Sequence, residues 1–260
     1  MVECMNSPVL NNDQISEDAL LEGQVRVRQP REGYRAAVDP VLLAAAVSAK
    51  PKQKVLDVGT GVGTVSLCLA VRVSGLLITA IENNPILVAL ALENAALNSV
   101  DLDVVEGDIT ALPNEITPGT FDHVMANPPY LPETHGHPSP HNIKRAATRE
   151  AEVGIEGWAT CAHTALKHKG TFTLIHRADR LDAILVVLSQ GFGDIGIFPL
   201  WPKSADNVGA ALDAKRVIIR ARKGVSSPLR LLPGLILHEV DGAYTPAAEQ
   251  ILRGGAEITI

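Results

Sequence analysis

The residues best placed to do chemistry are Asn127-Pro128-Pro129-Tyr130, which close the run Phe121-Asp122-His123-Val124-Met125-Ala126. Two prolines cannot donate to a sheet ladder, so a strand over 121–126 must stop at them. Pro128 also pushes Asn127 towards an extended backbone. A short amide is thus presented at a strand's carboxyl edge, where ligands bind in open parallel sheets. The Asn127 side-chain carbonyl and the Pro128 backbone carbonyl are two acceptors that can hold both hydrogens of a planar NH2 group. Held so, a weakly nucleophilic amino or amide nitrogen can turn its lone pair towards an electrophilic methyl. Tyr130 can stack on a planar acceptor, an interaction worth roughly 1–3 kcal/mol per base. Taken alone, the tetrapeptide fits equally well a proline-rich turn with Asn as a turn former.

A second group of residues lies upstream, in Val55-Leu56-Asp57-Val58-Gly59-Thr60-Gly61-Val62-Gly63. The spacing predicts a strand turning sharply into a helix, with glycines that let backbone approach a ligand. The dinucleotide fingerprint would need Gly or Ala at position 64, where this chain has Thr64. A loop free of that duty suits a nucleoside with an amino-acid tail. Asp57 can face a ligand ammonium, directly or through water. Glu82 ends the next expected strand and can take both hydroxyls of a ribose. Asp108, in Glu106-Gly107-Asp108-Ile109, ends the third and can hold an adenine amino group. Singly, these acids also read as a helix cap and two loop charges. Jointly, they point into one crevice and suit a cationic sulfonium ligand.

The elements that must position these groups follow an α/β rhythm. Strands are expected over 54–58, 76–82, 102–106, 121–126, 170–176, 194–199 and 215–221, and helices over 39–49, 62–73, 85–97, 151–167 and 178–188. Such alternation implies a mostly parallel sheet with helices on both faces. Residues 24–29 alternate like an exposed strand. Residues 1–22 read as a partly disordered arm. The remainder, 23–260, reads as one domain, with an N-terminal hairpin/helix extension (23–50) and a C-terminal elaboration (225–260). In that elaboration a hairpin is expected over 235–244, turning at Asp241-Gly242. A helix capped by Thr245 and Pro246 follows, closed by Gly254.

Composition narrows the function classes. The 260 residues are 46% hydrophobic but only 3% aromatic, so the core is aliphatic. The net charge of −6 argues against a general nucleic-acid binder. Locally the balance differs: Arg26, Arg28, Arg31 and Arg35 cluster early, and six basic residues lie between Lys203 and Lys223. No apolar run suits a membrane span and no signal peptide is evident. Three separated cysteines (Cys4, Cys68, Cys161) point to a reducing compartment, hence the cytoplasm. His135, His137 and His141 read as solvated loop residues and not metal ligands, so no metal is expected. Their loop, with Lys144, Arg145 and Arg149, can close over a substrate. Trp158 and Trp201 read as packing residues.

With these motifs, the chain resembles the class I S-adenosylmethionine-dependent methyltransferases, in the branch bearing Asn-Pro-Pro-Tyr. Gly33-Tyr34-Arg35, Asp39, Leu42-Leu43, Lys215-Arg216-Val217, Pro233-Gly234-Leu235 and Asp241-Gly242-Ala243-Tyr244-Thr245 are similar to the bacterial tRNA1(Val) adenine-37 N6-methyltransferase family. The resemblance implies a Rossmann-like fold with a mostly parallel seven-stranded sheet and S-adenosylmethionine as cofactor. By resemblance Asp57, Gly59, Thr60, Gly61, Glu82, Asn83, Asp108, Ile109 and Asn127 bind the cofactor, with Tyr34 and Arg35 near the mouth. Asn127, Pro128, Pro129 and Tyr130 would hold the target amine. The implied acceptor is adenine in RNA, most of all tRNA, and the implied state a monomer or weak homodimer. Two alternatives stay open: glutamine-N5 methylation of a protein, and a non-catalytic module that binds the cofactor and RNA. A nicotinamide oxidoreductase is disfavoured by Thr64.

Overall fold

The computed structural model describes residues 10–32, 38–129, 153–203 and 212–260. Its first elements are the strands Ile15–Leu20 (β1) and Val25–Pro30 (β2), paired antiparallel. Val38–Ala46 (α1) follows, and then the alternating body: Lys54–Val58 (β3), Thr64–Arg72 (α2), Leu77–Glu82 (β4), Pro85–Leu97 (α3), Leu102–Glu106 (β5) and Phe121–Ala126 (β6). The second half contains Gly154–Ala165 (α4), Leu166–Arg177 (β7), Leu181–Leu188 (α5), Phe192–Lys203 (β8) and Arg216–Lys223 (β9). Arg230–Leu231 (β10), Leu235–His238 (β11) and Pro246–Leu252 (α6) complete it.

Seven strands form the body of the sheet in the order β5-β4-β3-β6-β7-β9-β8. All neighbours pair parallel from β5 to β7, and β9 runs antiparallel between β7 and β8. The short strands β10 and β11 lie parallel along β8, which brings the sheet to nine. Side chains alternate across a strand, so each face collects its own core. Val55, Ile78, Met125, Ile175 and Ile218 pack with α1, α2, α3 and α6; Leu56, Ile81, Val124, Phe172 and Ile219 pack with α4 and α5. The sheet is thus covered on both faces, as the alternating pattern required.

Two asparagines, Asn94 on α3 and Asn98 at its C-cap, dock the β1–β2 hairpin. Asn94 Oδ1 accepts the Arg28 N–H (2.8 Å), and its Nδ2 donates to the Arg28 carbonyl (2.9 Å). One turn on, Asn98 repeats the pattern with the Arg26 N–H and carbonyl (2.8 and 2.7 Å). Positions four apart lie on one helix face. The two amides therefore act as a surrogate strand for the β2 edge.

Several expected boundaries shift. Ile15–Leu20 is a paired strand, although it falls in the stretch read as a partly disordered arm. Val25 and Val27 are buried, so β2 is exposed on one side only. The strands expected over 170–176 and 194–199 are each extended to twelve residues. The hairpin expected over 235–244 is reduced, among the described residues, to one bridge between His238 and Tyr244. Thr245 and Pro246 start α6 at once, which ends the returning arm, and β11 pairs with the long edge of β8 instead. After α6 the left-handed residue is Gly255 (φ +69°), not Gly254. No helix among the described residues is long and apolar enough to cross a membrane.

Candidate active site

Sheet register brings the predicted motifs together. Val58 pairs with Ile81 on one side and with Ala126 on the other, and Glu82 pairs with Glu106. The segments leaving β3, β4, β5 and β6 therefore emerge side by side: Gly59-Thr60-Gly61, Asn83, Gly107-Asp108-Ile109 and Asn127-Pro128-Pro129. This is the carboxyl edge at which open α/β sheets bind ligands.

The glycine turn is left-handed at Gly59 (φ +61°), Gly61 (φ +60°) and Gly63 (φ +86°). A Cβ on Gly59 would lie 2.4 Å from the Trp158 ring, which is 2% exposed and seals the turn from the α4 side. Among the described residues nothing lies within 4 Å of a Cβ position on Gly61, so that side of the turn is open to an incoming group.

Asp57 is 1% exposed and lies beneath this turn. Its Oδ2 accepts hydrogen bonds from the hydroxyls of Thr60 (2.6 Å) and Ser66 (2.7 Å). Burial pushes its carboxyl up to about 6, against the opposing pull of those two donors. The structure thus engages Asp57 in bracing the turn from within. Thr60 is buried with it. Glu82 is also buried; its Oε2 accepts the Gly61 N–H (2.9 Å) and its Oε1 the Asn84 N–H (2.9 Å). Burial raises the Glu82 carboxyl, opposed by backbone N–H groups of Asn84, Gly61 and Asn83. An ionised carboxylate has about four acceptor positions, so Glu82 can grip the glycine turn and still receive hydroxyls.

Asn83 Oδ1 is buried without a hydrogen-bond partner among the described residues. Asp108 is exposed at the end of β5, its Oδ1 accepting the Thr110 N–H (2.8 Å) and hydroxyl (2.7 Å). Ile109 packs, partly buried, on the α4-side core. Asn127 is half-buried with its Oδ1 shielded, Pro128 is buried and Pro129 half-buried. Tyr34, Arg35 and Tyr130 lie outside the described residues, as do His135, His137, His141 and the basic residues of their loop. Among the described residues no group of three or more His, Cys, Asp or Glu is arranged to hold a metal ion.

Three contributors carried no functional reading in the sequence. Ser66 is nine residues from Asp57, a spacing without a signature. Asn94, besides docking β2, donates to the Val62 carbonyl (2.9 Å) and ties the glycine turn to α3. Asn84 caps α3 through the Ile86 N–H (3.0 Å). The Asn84-Pro85 pair is a helix-start signal that pattern reading can find.

Comparison with known proteins agrees with this geometry. Residues 37–153 match the family model of the methyltransferase small domain. The matched segment holds the glycine turn, Glu82, Asp108 and Asn127. A release factor glutamine methyltransferase of Deinococcus radiodurans is 42% identical over 31% of this chain and 28% of its own length. A tRNA1(Val) (adenine(37)-N6)-methyltransferase of Bacteroides thetaiotaomicron is 29% identical over 64% of this chain and 70% of its own. The chain spans about half, or less, of the length of the glutamine-type relatives it matches. The crystal structure of a protein described as a predicted O-methyltransferase from Agrobacterium tumefaciens superposes with TM-score 0.69 at 24% identity, over 85% of this chain and 99% of its own. That likeness establishes the Rossmann-like methyltransferase fold.

S-adenosylmethionine is the cofactor of the methyltransferase small domain, and the residues here fit it. The turn at Gly61 is open, Glu82 lies behind it with acceptor capacity to spare, and Asn83 carries an orphaned buried oxygen. Buried polar atoms are seldom left without partners, so the Asn83 oxygen marks a place for a donor.

Proposed function

We propose that the chain is an S-adenosylmethionine-dependent N-methyltransferase acting on the exocyclic amino group of adenine in RNA, with tRNA as the substrate RNA. The pairing of Val58 with Ala126 carries this reading, because it sets Asn127 beside the glycine turn. When bound, S-adenosylmethionine supplies an electrophilic methyl group on a sulfonium sulfur. Glu82 and Asn83 would hold the nucleoside end, and Asp108 would receive the adenine amino group of the cofactor. Asn127 and the Pro128 carbonyl would accept hydrogen bonds from the two N–H groups of the acceptor, whose lone pair would form the N–CH3 bond as the S–CH3 bond breaks, leaving S-adenosylhomocysteine and passing one N–H proton to water. Tyr130 stacks on the base. The target base leaves its helical stack to enter, which is cheapest for a loop nucleotide. Positioning supplies most of the rate, and the enzyme forms no covalent bond to the acceptor.

Two observations favour RNA. The similarity to the Bacteroides tRNA enzyme takes in 70% of that protein. In addition, a cavity of about 780 Å³ at the same edge is lined by Arg177, Lys215 and Arg216 together with Asp179 and Asp213; Arg177 pairs with Asp179 and Arg216 with Asp39, so its surplus of positive charge rests on Lys215. Leu174 pairs with Ala126, so Arg177 stands three residues further along, level with Pro129. A glutamine acceptor is the second reading, supported by the 42% identity to the Deinococcus enzyme. A carboxamide offers the same two hydrogens, so the tetrapeptide serves either.

Labelled methyl transfer to total RNA and to total protein, each repeated after nuclease, separates the two. Label in RNA that nuclease removes is the expected result. Label confined to protein overturns the RNA reading and leaves the transferase. Asn127→Ala should lower turnover by roughly 100-fold or more while cofactor affinity changes little, since it removes positioning alone. Near-full turnover in that variant would sink the mechanism.

A further inference from the structure

On the face of the sheet that α1 covers, the helical layer stops near Ser48. A cavity of about 350 Å³ opens beyond it, over the amino-terminal parts of β6 and β7 and the neighbouring end of β9. Its neutral wall is His123, Gln53 and Thr171. Gln53 Oε1 also accepts the Lys50 N–H, so His123 must donate to it from Nε2 (3.0 Å), leaving Nδ1 to accept the Thr171 hydroxyl (2.6 Å). Burial holds the ring down to about 4, so it is uncharged at neutral pH.

The rest of the lining is strongly cationic. Lys167, Lys169, Arg220 and Arg222 face Asp122 and Asp194. Asp122 is already engaged, by Lys167 Nζ (2.6 Å) and the Lys54 N–H (2.9 Å). Asp194 is shared by Arg222 and Arg230, each at 3.6 Å. A bulge in β8 puts it there: Gly193 pairs with Arg222 and Gly196 with Arg220, and Asp194 between them is left-handed (φ +49°). Arg220 projects into the same space, and its buried Nε has no hydrogen-bond partner among the described residues. Its guanidinium is destabilised first by burial and then by the charge of Arg230. Five cations thus meet two carboxylates, one of them shared. Partly buried charges left in such surplus are costly unless an anion joins them.

We propose that this cavity is an anion site that takes a phosphate group, held by Arg220 and Arg222 with Lys169 at the rim, on the opposite edge of the sheet from methyl transfer. Guanidinium groups match phosphate oxygens in a bidentate fork, which a chloride cannot reproduce. The phosphate can be free, as inorganic phosphate, or part of a phosphodiester backbone.

Thermal unfolding of the full chain in inorganic phosphate, against chloride at matched ionic strength and pH, tests it. Phosphate should raise Tm by roughly 2 °C or more over chloride, as mass action on a folded-state site requires. Arg220→Gln and Lys169→Asn should each cut that difference to less than half. Lys169 is exposed and left-handed (φ +65°), a conformation Asn tolerates, so the second variant folds even where the first does not. Equal shifts in phosphate and chloride, or a phosphate shift that survives in both variants, would overturn the site. Anisotropy with a short RNA oligonucleotide then names the source. Weakened RNA binding in Lys169→Asn identifies a backbone phosphodiester, and unchanged RNA binding with a lost phosphate shift identifies free phosphate.

Discussion

Gly59 and Gly61 share a positive φ but differ in their surroundings, and that difference is measurable. At Gly61 an added methyl meets open space, so Gly61→Ala should cost only the left-handed penalty, about 1–2 kcal/mol. At Gly59 the same methyl also meets the Trp158 ring, which adds about 1–3 kcal/mol of overpacking. Urea denaturation should rank wild type above Gly61→Ala above Gly59→Ala. The Gly59→Ala/Trp158→Ala pair should cost less than the sum of its single variants, because the clash disappears with the ring. Asp57 yields a second prediction. Its carboxyl is raised from 3.8 to about 6, so the folded state binds the proton more tightly than the unfolded one. The resulting contribution to stability is present below about 3.8 and lost as pH rises through about 6. The loss amounts to on the order of 3 kcal/mol. Asp57→Asn cannot lose it, so its stability relative to wild type should rise between pH 4 and pH 7 in denaturation without cofactor. A constant difference across that window would show that the carboxylate is not paying a burial cost.

The surrogate strand on α3 is the element whose removal tells most. Asn94 is fully buried and bonds the Arg28 backbone and the Val62 carbonyl at once. Asn94→Ala leaves those groups without their partner, at about 1–3 kcal/mol for each one that water cannot reach. Hydrogen exchange at the Arg28 amide should accelerate, and cofactor affinity should fall because the glycine turn loses its tie to α3. Asn98→Ala should free the Arg26 amide and leave cofactor affinity unchanged. The same region shows where sequence reading stops. The bounds of β3, α3, β5 and β6 are legible because apolar runs end on glycine or proline and Asn84-Pro85 announces a helix. β1 has no such pattern: Ile-Ser-Glu-Asp-Ala-Leu is half polar, and pairing with β2 holds it in place. β7 begins in Leu-Lys-His-Lys, of which Leu166 and Lys167 fall in the helix expected over 151–167 and His168 and Lys169 in no expected element, because three exposed basic residues in a row carry no strand alternation. The strand-end acids and the tetrapeptide were legible as a group because parallel strands deliver their last residues to one edge. The inward turn of Asp57 was not, because it depends on a hydroxyl from the following helix.

At the scale of the whole chain, a net charge of −6 conceals an uneven distribution. The acids Asp57 and Glu82 are buried behind the cofactor turn, while Arg220, Arg222 and Arg230 crowd the other end of the sheet. His123 and Asn127 mark the two ends on one strand, four residues or roughly 13 Å apart along β6. At such a separation two ligands with no shared partner are expected to act independently, with free energies that add to within about 0.5 kcal/mol. S-adenosylhomocysteine should stabilise through the carboxyl edge and phosphate through the amino edge. Denaturation with each ligand alone and with both should therefore give additive gains. A joint gain well below the sum would mean that phosphate competes at the carboxyl edge, where the glycine turn and the cavity lined by Lys215 both lie. The variants then decide between the two edges: Lys169→Asn cuts the phosphate gain to less than half only if the amino-edge cavity holds it, and Gly61→Ala lowers it only if the turn does.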